Sequence, residues 1–211
     1  MKIENIRPGD IEARSFQIIQ ETLDENGHAP LDPRYAHIIK RCIHTSADFD
    51  YADSMYFSEG VTERISQAIL QGAVIVTDTR MAQAGINKRR IEKYGGKVLC
   101  FIGDEDVAEE AKRLGVTRSF VSMEKASRLE GPVIFAVGNA PTALFSIVEL
   151  VKQGKLDPAA VIGVPVGFVN VVASKEKLIE SGIPCIVARG RKGGSNIAAC
   201  IVNAIQYKTG E

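Results

Sequence analysis

The strongest constraint on what this chain can fold into is a change of rhythm at Ala73. From there to the end, short apolar runs alternate with helix-patterned segments; the runs are Ala73 to Thr77, Val98 to Ile102, Val133 to Val137, Val161 to Val164 and Cys185 to Ala188. Runs of this length that are apolar almost throughout suit strands buried on both faces. The intervening segments carry helical patterning at Asn87 to Tyr94, Glu105 to Leu114, Pro141 to Gln153 and Val171 to Ser181, and a closing helix starts at about Ser195. Parallel neighbours need a long return connection, so strands joined by helical crossovers predict an α/β fold with a doubly wound, mostly parallel five-stranded sheet covered on both faces.

Residues 1–72 read differently, as an N-terminal helical segment. Asp10 is placed to cap a helix carrying Ile11, Ile18, Ile19 and Leu23. Asp32-Pro33 marks a second start, an N-cap followed by proline in the first turn, with Tyr35, Ile38, Ile39 and Cys42 as the buried stripe. Ser58 is expected to open a third helix, with Val61, Ile65, Ala68 and Ile69 on one face and Gly72 as its stop. No repeat, low-complexity tract or linker interrupts the pattern, so residues 1–211 are expected to form a single domain, helical over 1–72 and α/β over 73–211.

Composition removes several classes of function. The 26 basic and 26 acidic residues cancel, which takes away the general electrostatic case for nucleic acid or a membrane surface as partner. The first residues lack the apolar core of a signal peptide and no apolar run is long enough to span a bilayer, so the cytoplasm is the expected compartment. Cys42, Cys100, Cys185 and Cys200 lie far apart with no C-x-x-C pair, which points to neither a zinc site nor a disulfide framework.

In open α/β sheets ligands bind beyond the carboxyl ends of the strands. The loops there read Asp78-Thr79-Arg80, Gly103-Asp104-Glu105, Gly138 to Thr142, Pro165 to Asn170 and Arg189 to Ser195. In the last, two glycines before a helix start let backbone N–H groups turn toward a ligand, the helix dipole favours negative charge, and Arg189, Arg191 and Lys192 add cations. An anionic ligand follows, although a solvated basic turn would carry the same residues, and no phosphate-binding or dinucleotide fingerprint is present. Between Gly138 and Thr142, Pro141 sets a first helical turn while Asn139 and Thr142 offer hydrogen bonds, for a ligand or for the helix start itself. Gly163 to Asn170 makes a hydrophobic wall with a polar end, which suits a flat apolar ligand and strand-end turn chemistry about equally.

The stretch Arg41 to Asp50 gathers a guanidinium, a thiol, an imidazole, two hydroxyls and two carboxylates. Imidazole titrates nearest neutrality, so His44 is the best candidate for moving a proton, while the stretch alone favours a structural or exposed histidine. His28 and His37 have no comparable surroundings and are not assigned to catalysis.

Together these motifs resemble the precorrin-8X methylmutase family of cobalamin biosynthesis, in both its metal-free and its cobalt-substrate branches. The likeness is carried by Arg14-Ser15-Phe16, Arg41 to Asp48, Asp78-Thr79, GNAPTAL at Gly138 to Leu144, GVPVGFVN at Gly163 to Asn170 with Ser174-Lys175, and GRKGGS at Gly190 to Ser195, almost the whole chain. It implies a three-layer flavodoxin-like fold, a homodimer with active sites near the subunit interface, and an isomerase acting on a corrin-type tetrapyrrole. The reaction implied moves a methyl group from carbon 11 to carbon 12 of precorrin-8X or cobalt-precorrin-8, giving hydrogenobyrinate or cobyrinate.

By that resemblance His44 matches the family's catalytic histidine, and Ser15 and Arg41 match positions that bind substrate. A methyl shift within a conjugated ring needs a proton donor but no redox cofactor and no metal from the protein, so none is expected. The tetrapyrrole's carboxylates would pair with Arg14, Arg41, Arg189 and Arg191 and accept hydrogen bonds from Ser15, Thr79, Asn139, Thr142 and Ser195. Phe168, Val166 and Met81 are expected walls, Asp48 and Asp50 a solvated helix end, and Cys42 core packing. Two other functions suit such a sheet: a carrier that holds a corrinoid intermediate without turnover, and a nucleotide- or phosphosugar-binding enzyme.

Overall fold

The computed structural model describes residues 5–210; residues 1–4 of the expected N-terminal segment, and Glu211, lie outside the described residues. The strands are β1 (Met55–Phe57), β2 (Val74–Thr77), β3 (Lys97–Leu99), β4 (Val133–Val137), β5 (Ala160–Gly163) and β6 (Cys185–Ala188). They form one six-stranded sheet in the order β1-β6-β5-β4-β2-β3. β2 to β6 run parallel, while β1 lies antiparallel on β6 with Met55 opposite Ala188.

The five expected strands are all present, and the sixth corrects the expected five-stranded sheet to a mixed one. Met55-Tyr56-Phe57 is too short to show a period and runs straight into Ser58, which was expected to open a helix. Ser58 instead prolongs the ladder: its N–H donates to the Cys185 carbonyl at 2.9 Å and its Oγ accepts from the Cys185 N–H at 2.8 Å. The helix α4 (Val61–Leu70) begins three residues later, behind Gly60 in the left-handed conformation at φ +66°.

Period-two alternation in the strands feeds two cores. Ile75, Ile134, Ala136, Ile162 and Ile186 face α2 (Ala36–Ser46), α4 and α11 (Ser195–Lys208). Val76, Val133, Phe135, Val137, Val161 and Val187 face α8 (Arg118–Ala126), α9 (Pro141–Lys152) and α10 (Val171–Glu180). Burying both faces is what makes the strands read as unbroken apolar runs. The connections are completed by α6 (Lys88–Glu92), in the expected segment, and by helices not expected from the sequence, the short α3 (Tyr51–Ser54), α5 (Arg80–Gly85) and α8; α8 shares a smaller core with α7 (Glu105–Leu114) through Val107, Ala111 and Val121.

The N-terminal helices follow their start signals loosely. In α1 (Ile11–Glu25), Asp10 makes no side-chain cap, and only Ile19 and Leu23 are buried, because one narrow stripe meets α2 while Ile11 and Ile18 face outward. The Asp32 carbonyl accepts from the Tyr35 and Ala36 N–H groups at 2.9 and 2.8 Å, a turn that delivers the chain into α2 at Ala36. The expected stripe of Tyr35, Ile38, Ile39 and Cys42 is buried, and Ala47 in the left-handed conformation at φ +55° ends the helix.

This topology decides where chemistry can gather. From β2 the chain goes one way to β3, and β4 lies on the other side, so the crevice beyond β2 and β4 is the switch point where such sheets bind ligands. Because β1 is antiparallel, its first residue lies at the carboxyl end of β6, and the chain leading into it arrives at the same edge. The Arg189 N–H donates to the Ser54 carbonyl there at 2.8 Å, which brings the loop after α2 beside the loop after β6.

Candidate active site

The switch point is built on a buried carboxylate. Asp78, just after β2, accepts the N–H groups of Gly138, Asn139 and Ala140 at 2.9, 2.8 and 2.7 Å, which pins the loop after β4. Burial pushes its pKa up, opposed by those three donors. At Gly138 a Cβ would stand 2.6 Å from Ser195 Cα, so only glycine lets this loop rest on the start of α11. Thr79 caps α5 by accepting from the Ala82 N–H at 3.0 Å, and its Oγ1 lies 2.7 Å from Ser195 Oγ.

The loops after β5 and β6 close onto the same surface. Gly193, at φ +152°, would place a Cβ 2.1 Å from the Val164 carbonyl oxygen, and the Gly194 N–H donates to that oxygen at 2.9 Å. The Gly167 N–H donates to the Arg191 carbonyl at 3.1 Å. No side chain caps α11, which leaves its first-turn N–H groups for solvent or an anion. Among the described residues no cluster of His, Cys, Asp or Glu could hold a metal ion.

Lys192 ties this surface to the His44 stretch. Its ammonium bonds Asp48 at 2.7 Å and also Asp50, and this contact holds the Asp48 carboxyl below its usual range. The two aspartates are therefore counter-ions of the loop and not a solvated helix end. His44 stands exposed in the last turn of α2, edge-on to the Phe16 ring at 5.8 Å and 85°. Among the described residues nothing hydrogen-bonds its imidazole, so both nitrogens are open to a ligand. Arg41, one turn earlier, lies over the Phe16 ring at 5.3 Å and the Tyr207 ring at 5.6 Å and forks onto Glu12 at 3.2 and 2.5 Å. The geometry is that of a carboxylate clamp, occupied by the chain's own glutamate. Thr45 Oγ1 bonds Cys200 Sγ at 3.2 Å; the neighbouring Cys42 thiol draws the Cys200 thiol below its usual value, burial opposes this, and Thr45 adds to the lowering.

The remaining expected residues divide. Arg191 is exposed, 5.8 Å over the Phe168 ring, with no carboxylate partner among the described residues. Asn139 is exposed in the loop after β4. Arg189 is committed to Glu176 at 3.2 and 2.8 Å and lies over Tyr56. Thr142 Oγ1 sits 2.7 Å from Thr117 Oγ1. Ser15 returns its hydroxyl to the Ile11 carbonyl at 2.8 Å, and Arg14 meets Glu21 at 3.5 Å.

Of the other histidines, His28 pairs with Asp53 at 3.1 Å, a carboxylate partner not expected from its loop. The His37 imidazole is lowered to about 4 by burial, with Lys208 and Arg41 adding to it, so it is neutral at physiological pH. The apolar residues at this edge stand in the open: Phe168 is 84% exposed, Val169 80% and Met81 69%. Surface grooves of 320 to 520 Å³ lie elsewhere, two of them lined in part by His37 and by Glu176.

Two residues of the motifs that carry the family likeness have no role assigned from the sequence. Asp78 reads there only as part of the polar loop after a strand and of the Asp78-Thr79 motif. Lys175 occupies the inward stripe of α10 with Val171, Ser174 and Leu178, and a lysine at that spacing is the signal that could have found it.

A mixed α/β sheet whose polar loops converge at the switch point, with an exposed imidazole at the same edge, defines an α/β protein with an open, anion-suited ligand site. A family model for precorrin-8X methylmutase matches residues 10–208. The chain belongs to that family, whose members are isomerases of cobalamin biosynthesis. The cobalt-precorrin-8 methylmutase of Priestia megaterium is 45% identical over 200 residues, covering 95% of this chain and 88% of its own. The protein of the same name from Salmonella typhimurium is 44% identical over 204 residues, covering 95% of each chain. The crystal structure of precorrin-8x methyl mutase from Thermus thermophilus superposes with a TM-score of 0.82 at 38% identity, covering 93% of this chain and 94% of that one.

Proposed function

We propose that the chain moves a methyl group from carbon 11 to carbon 12 of precorrin-8X or cobalt-precorrin-8, with His44 as proton donor. The observation that carries the site assignment is an exposed imidazole, without a hydrogen-bond partner among the described residues, at the edge where Lys192 binds Asp48 and Asp50. Family membership supports the chemistry. A rearrangement within a conjugated macrocycle is helped by protonation of the developing π-system, a step worth roughly 10²–10⁴ in rate when the donor is positioned.

Arg191, Thr79, Asn139, Ser195 and the α11 N–H groups are the substrate's polar contacts in this reading, and Arg41 joins them when a substrate carboxylate displaces Glu12. Arg14, Ser15, Thr142 and Arg189 are further candidates that must first leave the partners described above. Phe168, Val169, Met81 and Val166 form one wall for the flat ring. Their exposure, and the shallowness of this edge, support a homodimer in which a second copy supplies the opposite wall. The order of the five parallel strands supports a flavodoxin-like sheet to which β1 has been added. In this proposal the chain acts as one domain over residues 1–211, in the cytoplasm. Among the described residues no helix is long and apolar enough to cross a membrane.

The test is incubation with precorrin-8 and, separately, its cobalt form, following the absorption change of the chromophore. Binding of both without a spectral change would replace the mutase by a carrier. His44→Ala is expected to bind substrate and lose about 10²–10⁴ in kcat, and full activity in that variant removes the proton-donor role.

A further inference from the structure

Behind the loop after β6 lies a cation that the site does not use by contact. Lys175 is 0% exposed, and its ammonium donates to the carbonyls of Gly190 and Lys192 at 2.9 and 2.7 Å. No carboxylate pairs with it among the described residues. Its neighbour Glu176 is forked onto Arg189. Asp48 and Asp50 are held by Lys192. Arg191 is the remaining cation of the loop, and Lys152, Lys177 and Glu180 line a surface groove along α9 and α10.

A buried ammonium without a counter-charge is costly, and the backbone carbonyls it bonds are neutral. A methionine would fill the same inward position between Ser174 and Leu178 with no charge to desolvate. The charge is compensated once an anion sits on the outer side of residues 190–195, where Arg191 and the uncapped start of α11 already favour one. We infer that Lys175 is a positioning residue that holds this loop from behind, and that a polycarboxylate ligand docking on the loop places a proton on Lys175. The inference rests on the proposed function for the identity of the ligand.

The linkage has a definite sign. In the free chain burial lowers the Lys175 pKa to about 8, Glu176 offsetting part of the effect. An anion across the loop favours the charged form, so above pH 8 binding and protonation proceed together and affinity falls by up to about tenfold per pH unit.

The experiment is calorimetric titration of the full chain with hydrogenobyrinate, from pH 7.0 to 9.5, in buffers of different ionisation enthalpy. At pH 8.5 the wild type is expected to take up a fraction of a proton on binding. Lys175→Gln and Lys175→Met are expected to take up none in that window and to bind about tenfold more weakly at pH 7.5, with the gap closing by pH 9.5. In turnover the loss falls mainly on KM. Binding by the wild type without proton uptake at pH 8.5 overturns the inference alone, as does a Lys175→Gln profile that follows the wild type. Absence of binding at every pH removes the functional reading and the inference with it. Should neither variant fold, proton uptake by the wild type still decides the matter.

Discussion

Replacing Asp78 by asparagine isolates the bond that joins the two sides of the switch point. One carboxylate oxygen accepts from Gly138 and the other from both Asn139 and Ala140. An asparagine can keep its carbonyl on the latter pair, but its amide then meets the Gly138 N–H donor to donor. A buried N–H left without an acceptor costs about 1–3 kcal/mol. Against this, the neutral amide escapes the desolvation that pushes the Asp78 pKa up, so the lower half of the range, about 1–2 kcal/mol, is expected. Asp78→Ala orphans all three donors and should cost about 3–5 kcal/mol. For a chain of this size the asparagine change corresponds to a loss of about 2–8 °C in Tm. Urea unfolding gives the free energies, and hydrogen exchange at the Gly138 amide reports the bond itself. An asparagine variant that melts with the wild type while Gly138 stays protected would refute the reasoning, and so would an alanine variant no weaker than the asparagine one.

Arg191→Ala should weaken polycarboxylate binding by about tenfold at low salt, with the difference shrinking as ionic strength rises, because the guanidinium is exposed; equal affinity at low salt means that the loop faces away from the ligand. Glu12→Gln should release Arg41 and tighten substrate binding severalfold in equilibrium titrations, and a weaker complex would mean that Glu12 belongs to the site. Lys175 also predicts a pH dependence of stability. Its folded value, about 8, lies below the 10.5 of an unperturbed lysine, so between those values the unfolded chain holds more protons and stability rises with pH. The gain relative to Lys175→Met approaches about 3 kcal/mol by pH 10.5, read from denaturant midpoints, and parallel curves for the two proteins would contradict it.

The parts of the fold that were legible in the sequence are those whose signal is local. Val133–Val137 and Cys185–Ala188 announce themselves because strands buried on both faces need no partner information to look apolar. β1 gives no such sign: its three residues are half-buried, and their strand character comes from pairing with β6, more than a hundred positions away. The site divides the same way. The glycines of Gly190 to Ser195 could be read in place, since Gly193 and Gly194 hold φ values that other residues avoid. That Lys192 finds Asp48 and Asp50, or Arg41 finds Glu12, depends on the antiparallel arrival of β1 and on α1 lying across α2, and neither is written in the local residues.

Charge counted along the sequence is accordingly a poor measure of the field at the site. The loop after β6 carries Arg189, Arg191 and Lys192 in four positions and looks strongly positive. In the folded chain Glu176 takes Arg189, and Asp48 with Asp50 takes Lys192. What remains for a ligand is Arg191 at the surface, the N–H groups at the start of α11, and Lys175 from behind, a residue outside the loop. An exposed pair contributes little to binding because water already solvates it, whereas a buried ammonium acts through a medium of low polarity and is screened far less. On the inferred linkage, anion recognition is therefore shared between Arg191 and a cation that the loop conceals, and the pH profile of the Lys175 variants measures the concealed share.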